Sequence, residues 1–155
     1  MDSRRGANLL DVNVLIALFD PVHVHHEVAH DWLSDHSSRP WATCPLTENG
    51  FLRTTTAATG GKVRASIGDV VRRFGGFRRY GRHEFWPDDL SLTDVEHLHA
   101  DEVVGHQQLT DLYLLALAVR HKGTLVTFDR RIPLNAVRNA TADHLSVLAP
   151  AVDEP

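Results

Sequence analysis

Four acidic residues, Asp11, Glu48, Asp111 and Asp129, stand where a folded chain could gather carboxylates in one place. Asp11 follows the apolar run Ala7-Asn8-Leu9-Leu10, and Asp129 follows Thr124–Phe128. Both runs read as buried strands. Glu48 and Asp111 fall in the first turns of expected helices, where the helix dipole favours acids. Taken singly, each has an ordinary explanation, because acids are common at helix starts, in turns and on surfaces. Gathered together they would repel and raise one another's pKa, a cost that a shared cation removes. Oxygen donors without cysteine suit Mg2+ or Mn2+ better than zinc. An ion held there would neutralise phosphoryl charge and activate a water, the chemistry of phosphodiester hydrolysis.

The elements that must position these acids alternate between strand and helix. After the first strand comes a helix over Val12–Phe19, broken by Asp20-Pro21, and a second from about His23 to Ser37. Trp41–Cys44 reads as a strand, and Thr47 as the N-cap of a short helix through Arg53. A basic helix is expected from about Val63 to Phe74, between Gly60-Gly61 and Gly75-Gly76, followed by a strand over Glu84–Trp86. Thr93–Asp101 reads as a short helix, and Thr110 as the cap of a buried helix over Asp111–His121. Thr124–Phe128 and Leu145–Leu148 complete the strands. This alternation predicts one domain over residues 1–155, a three-layer α/β/α sandwich around a mostly parallel sheet of about five strands. Ligands of such sheets bind beyond the carboxyl ends of the strands, where Asp11 and Asp129 are expected. Gln107 and Thr110 lie close enough in sequence to Asp111 to line the same place.

Other motifs point to other chemistry. His26-Glu27-Val28-Ala29-His30 spells H-E-x-x-H, the spacing with which zinc proteases bind metal through two histidines and use the Glu as base. Glu48 could then serve as a third ligand. At about 100° per residue, however, Val24, Val28, Ala29, Trp32 and Leu33 share one helix face, which leaves His26, Glu27 and His30 on the polar side. Weak adventitious binding of Ni2+ or Zn2+ by His23, His26 and His30 fits that placement. Asp11-Val12-Asn13 also resembles the start of a D-x-D phosphatase, but Asn13 cannot act as its general acid. Lys62, Arg64, Arg72, Arg73, Arg78, Arg79 and Arg82 crowd one stretch together with Phe74, Phe77 and Tyr80. Such a stretch could follow a phosphate backbone and stack bases, or serve as a solvated helix face or a dock for an acidic partner. A module that binds RNA or protein without catalysis is a further reading.

Composition narrows the class. The apolar fraction of 43% and charged fraction of 23% are those of a globular protein. A net charge of −4 argues against a protein that coats nucleic acid. Arg4 and Arg5 precede no apolar segment of signal-peptide type, and no apolar run is long enough to span a bilayer. Cys44 is the single cysteine, so no internal disulfide is expected and a cytoplasmic setting fits.

Against this background, Leu9-Leu10-Asp11-Val12-Asn13-Val14-Leu15-Ile16 resembles the opening strand and D-x-N motif of PIN-domain toxins of the VapC type. Pro45–Arg53 resembles their second acidic motif, Thr110–Ala118 the third and Leu125–Asp129 the fourth, in order along nearly the whole chain. The resemblance implies a Mg2+- or Mn2+-dependent endoribonuclease, the toxin of a type II toxin–antitoxin pair. A metal-activated water would hydrolyse RNA, leaving 5′-phosphate and 3′-hydroxyl ends. It implies Asp11 and Asp111 as principal metal ligands, with Asp129 a further ligand and Glu48 completing the acidic pocket. Asn13, Thr127 and Thr110 would orient those carboxylates from behind. Arg72, Arg73, Arg78 and Arg79 would hold the RNA backbone. A cognate antitoxin lying over the active site and a homodimer are implied as partners.

Overall fold

A computed structural model describes residues 5–59, 62, 63 and 65–149. Its sheet contains β1 (Asn8–Leu10), β2 (Trp41–Thr43), β5 (His83–Phe85), β6 (Thr124–Thr127) and β7 (Leu145–Val147), in the order β5-β2-β1-β6-β7. Every neighbouring pair is parallel. The three inner strands are buried on both faces, which explains the apolar residues inside them, while the buried polar residues Asn8, Thr43, Thr124 and Thr127 stand at their ends.

Alternation along these strands divides the interior in two. Leu9, Ala42 and Leu125 point to a core shared with α5 (Leu109–Arg120), whose buried residues include Leu112, Leu114, Leu115 and Leu117. Leu10, Trp41 and Val126 point the other way. There they meet α1 (Val12–Phe19), α2 (His26–Asp35), α3 (Pro45–Thr56) and α4 (Ile67–Phe77). The expected three-layer sandwich with a five-stranded parallel sheet is therefore what forms. Two glycines mark its closest packing. A Cβ on Gly50 of α3 would stand 2.8 Å from Val12 Cγ2 of α1. A Cβ on Gly123 would collide with the Ala7 carbonyl and lie 2.7 Å from the Trp86 ring.

Several boundaries differ from the sequence reading, each for a local reason. Cys44 rather than Thr47 is the N-cap of α3, because Pro45 takes the first helical position. Thr47 sits one turn in, its Oγ1 accepting from the Cys44 N–H at 3.0 Å. Thr110 does not cap α5: the helix begins at Leu109, led in by a 3-10 turn over His106–Gln108, and Thr110 is exposed in its first turn. Val63 belongs to a short antiparallel hairpin, β3 (Ala58–Thr59) with β4 (Lys62–Val63), and Ser66 caps α4 instead. Gly75-Gly76 does not end α4, which continues to Phe77. Phe77 contacts Phe19 and Trp41 at ring distances of 5.0 and 4.8 Å, packing that offsets the roughly 1 kcal/mol cost of each helical glycine. Thr93–Asp101 forms turns rather than a helix, drawn out by a bridge from Leu98 to Val137, with a 3-10 turn only at Ala100–Glu102. Gly60-Gly61, Arg64 and the Met1–Arg4 segment lie outside the described residues. Among the described residues no helix is long and apolar enough to cross a membrane.

Candidate active site

Asp11 leaves β1 at its carboxyl end and caps α1, with Oδ1 accepting from the Val12 N–H at 2.7 Å. Its Oδ2 accepts from Thr127 Oγ1, also at 2.7 Å. Only 7% of Asp11 is exposed, and burial raises its pKa above the ordinary value against the lowering effect of both hydrogen bonds. Thr127, at the end of β6, is wholly buried. Its hydroxyl, already donating to Asp11, accepts from Asn13 Nδ2 at 3.3 Å and from the Asp129 N–H at 3.0 Å. Asn13 in turn accepts from the Phe128 N–H at 3.3 Å. One hydroxyl thus ties the end of β1, the start of α1 and the turn after β6 together.

Asp111 enters from the first turn of α5. Its carboxyl is pushed up to about 6, first by burial, then by the charges of Asp11 and Asp129 and by a hydrogen bond with Asp129. A carboxyl can donate that bond only when protonated. Asp11, Asp111 and Asp129 therefore face one another closely enough for their charges to oppose ionisation. Asp129 accepts from the Arg131 backbone N–H at 2.8 Å and lies 3.4 Å from its Nε.

Glu48 occupies the first turns of α3, directly beyond β2, and accepts from Thr43 Oγ1 at 2.8 Å. Its contacts are with Thr43 rather than with the three coupled aspartates. As the side chains stand, no three His, Cys, Asp or Glu among the described residues are arranged to hold an ion together. The donor chemistry nevertheless fits a hard divalent cation. The facing groups are all carboxylates, and the mutual repulsion that lifts Asp111 is what such an ion relieves.

The H-E-x-x-H residues are committed elsewhere. His26 Nδ1 sits 2.7 Å from the Ala17 carbonyl and His30 Nε2 3.3 Å from that of Leu18, both at the end of α1. The polar side of α2 is therefore partly turned onto α1 instead of wholly to water, and Glu27 is exposed. The basic helix is also partly committed. Arg72 pairs with Asp69, Arg73 reaches the Phe19 carbonyl at 3.5 Å, and Arg78 lies over the Phe74 ring at 5.8 Å. Arg78 and Arg79 close α4 just ahead of the amino end of β5, whereas the acids lie at the carboxyl ends of the strands. Of Lys62 only the backbone is described.

Sequence reasoning passed over four residues beside the acids. Arg130 and Arg131 directly follow Asp129, so adjacency alone could have flagged them. Thr43 and His83 meet only through the pairing of β2 with β5.

Comparison with known proteins identifies the family. Residues 9–138 match the PIN domain family. Ribonuclease VapC44 of Mycobacterium tuberculosis is 41% identical over 140 residues, covering 90% of this chain and 98% of that protein. Ribonuclease VapC29 of the same organism is 46% identical over 121 residues, covering 78% and 84%. Among solved structures, VapBC2 from Rickettsia felis, crystallised with a DNA fragment from its promoter, superposes with a TM-score of 0.56 at 15% identity. That alignment covers 92% of this chain and 99% of the other, and it bears on the fold.

Proposed function

Given that the chain belongs to the PIN-domain family and to its VapC type, we propose that it is a metal-dependent endoribonuclease, the toxin of a toxin–antitoxin pair. The observation that carries this reading is the mutual opposition of Asp11, Asp111 and Asp129 at the carboxyl edge of the sheet. In this reading the chain is one PIN-type unit, and those three carboxylates hold Mg2+ or Mn2+. When bound, the ion supplies positive charge against the phosphoryl oxygens and activates water for attack. Thr127 fixes the Asp11 carboxylate through its hydroxyl, and Asn13 holds Thr127 and the Phe128 backbone in place. Glu48 completes the acidic pocket from α3. Thr110, exposed one residue before Asp111, is left a position at the rim. Water adds to phosphorus as the bond to the 3′ oxygen breaks, giving a 5′-phosphate and a 3′-hydroxyl.

Arg130 and Arg131 are the cations nearest in sequence to Asp129, suited to the scissile phosphate. Arg72, Arg73, Arg78 and Arg79 would serve flanking RNA, preferably single-stranded or looped. A groove of about 410 Å3, lined by Phe19, Val22, Phe51, Val70 and Arg73 among others, offers apolar surface that an antitoxin would cover. We further assign the protein to the cytoplasm, as a homodimer whose mass sedimentation equilibrium would measure.

The test is incubation of the antitoxin-free protein with total RNA in Mg2+ or Mn2+, beside EDTA and Asp111→Asn controls. Discrete cleavage lost in both controls is the expected result. Metal binding without turnover would favour the alternative reading, a module that binds RNA or protein and does not cut.

A further inference from the structure

We infer that His83 is a positioning residue for Glu48, acting through the hydroxyl of Thr43. The inference rests on the reading that Glu48 belongs to the active site.

Thr43 is the last residue of β2 and is wholly buried. Its Oγ1 lies 2.8 Å from Glu48 Oε2 and 2.7 Å from His83 Nε2. A threonine hydroxyl carries a single proton, and an ionised carboxylate can only accept. The hydroxyl proton therefore goes to Glu48, and His83 Nε2 must carry the hydrogen that Thr43 accepts. The bonds form a directed chain: His83 Nε2–H to Thr43 Oγ1, then Thr43 Oγ1–H to Glu48 Oε2.

The far end of this chain is fixed by packing. The His83 ring meets Trp41 at 4.4 Å between centroids and stands edge-on to Phe74 at 6.5 Å. Register explains the meeting: His83 pairs with Trp41 across the parallel β2–β5 ladder, so Thr43, two residues on, shares that face. Burial, then the Arg78 charge, lower the His83 pKa against the opposing Glu84 charge. The direction of the chain rests on the single hydroxyl proton, since Nε2 donates both in the Nε2–H neutral tautomer and in the charged ring. A buried donor that stiffens a carboxylate in this way acts as supporting hydrogen bonds do around acidic sites, where their removal typically costs 10–100-fold.

The experiment uses the full chain with an RNA substrate and Mn2+, comparing His83→Phe, His83→Gln, Thr43→Val, their combination, and Glu48→Gln. Phenylalanine keeps the packing and removes the donor, while glutamine restores an N–H near Nε2. We expect His83→Phe and Thr43→Val each to lower kcat roughly 10–100-fold with KM nearly unchanged. The double variant should lose no more than either alone, and His83→Gln should recover most of the rate. In parallel, 15N NMR of the metal-free wild type should show the His83 ring protonated at Nε2, and Thr43→Val should move that N–H resonance. A wild type protonated at Nδ1 instead overturns the inference. So does a His83→Phe variant at wild-type kcat while Glu48→Gln is impaired, and in that case the ribonuclease reading survives. Wild-type cleavage by Glu48→Gln removes the inference and takes Glu48 out of the site, while the ribonuclease reading still rests on the three aspartates. No cleavage by the wild type removes both together.

Discussion

Replacing Asp111 with asparagine should stabilise the metal-free protein. In the folded chain this carboxyl titrates at about 6 against an ordinary 3.8, because it is buried and faces Asp11 and Asp129. Between those two values the folded state holds more protons than the unfolded one, so stability falls as pH rises through the window from about 4 to 6. Above it, the ionised Asp111 carries the full penalty. A displacement of that size corresponds to roughly 3 kcal/mol, which solvent access to this half-buried group reduces to on the order of 1–2 kcal/mol. Asparagine does not titrate, is close in shape to the protonated acid, and can still donate to Asp129. At pH 7.5 in a chelator, the variant should therefore melt roughly 2–8 °C above the wild type. Near pH 4 the two should converge. Added Mn2+ should raise the wild-type midpoint and move the variant much less, since the proposed site would exist only in the folded state. A variant that melts below the wild type at pH 7.5, or a gap that stays constant down to pH 4, would refute the account of facing carboxylates. Asp11→Asn should behave differently, because Asp11 uses both oxygens to accept hydrogen bonds and an amide has only one. It gains less or loses stability.

Other expectations follow from single contacts. Thr127→Val keeps the shape but leaves Asp11, Asn13 and the Asp129 N–H without their shared partner; chemical denaturation should show a loss of roughly 1–3 kcal/mol. Gly123→Ala drives a methyl against the Ala7 carbonyl and the Trp86 ring, and a comparable loss of about 1–3 kcal/mol should appear in thermal melts. Cys44 is buried and its thiol is pushed up to about 11, so a thiol reagent at pH 8 should modify it only after denaturant is added. Neutralising Arg72, Arg73, Arg78 and Arg79 together should weaken RNA binding and flatten its salt dependence; an unchanged slope would take α4 off the binding surface.

The parts of the molecule that could be read from sequence are those governed by burial. Leu9-Leu10 and Leu125-Val126 announce inner strands because parallel strands covered on both faces favour apolar residues at successive positions. Leu112 to Val119 announces a central helix for the same reason. The positions of Asp11, Asp111 and Asp129 follow from where those elements end. Features set by pairing stayed hidden. The two-residue strands β3 and β4 are too short to show a period. The run of α4 through Gly75-Gly76 depends on Phe77 meeting rings from α1 and β2. The contact of Thr43 with His83 requires knowing which strands are neighbours and in what register.

The bond from Thr127 to Asp11 spans 116 positions, and it joins the first strand made to the fourth of the five in the sheet. A ribosome that has released residues only as far as α5 has produced β1 and β2 as neighbours, but not the strand that lies on the other side of β1. At that stage Asp11 and Asp111 have neither Thr127 to align them nor Asp129 to crowd them. The acidic edge is thus a late product of synthesis, closed when β6 slots against β1. A chain cut just before residue 124 keeps α1 to α5 but lacks both Thr127 and Asp129, and with them the acidic edge.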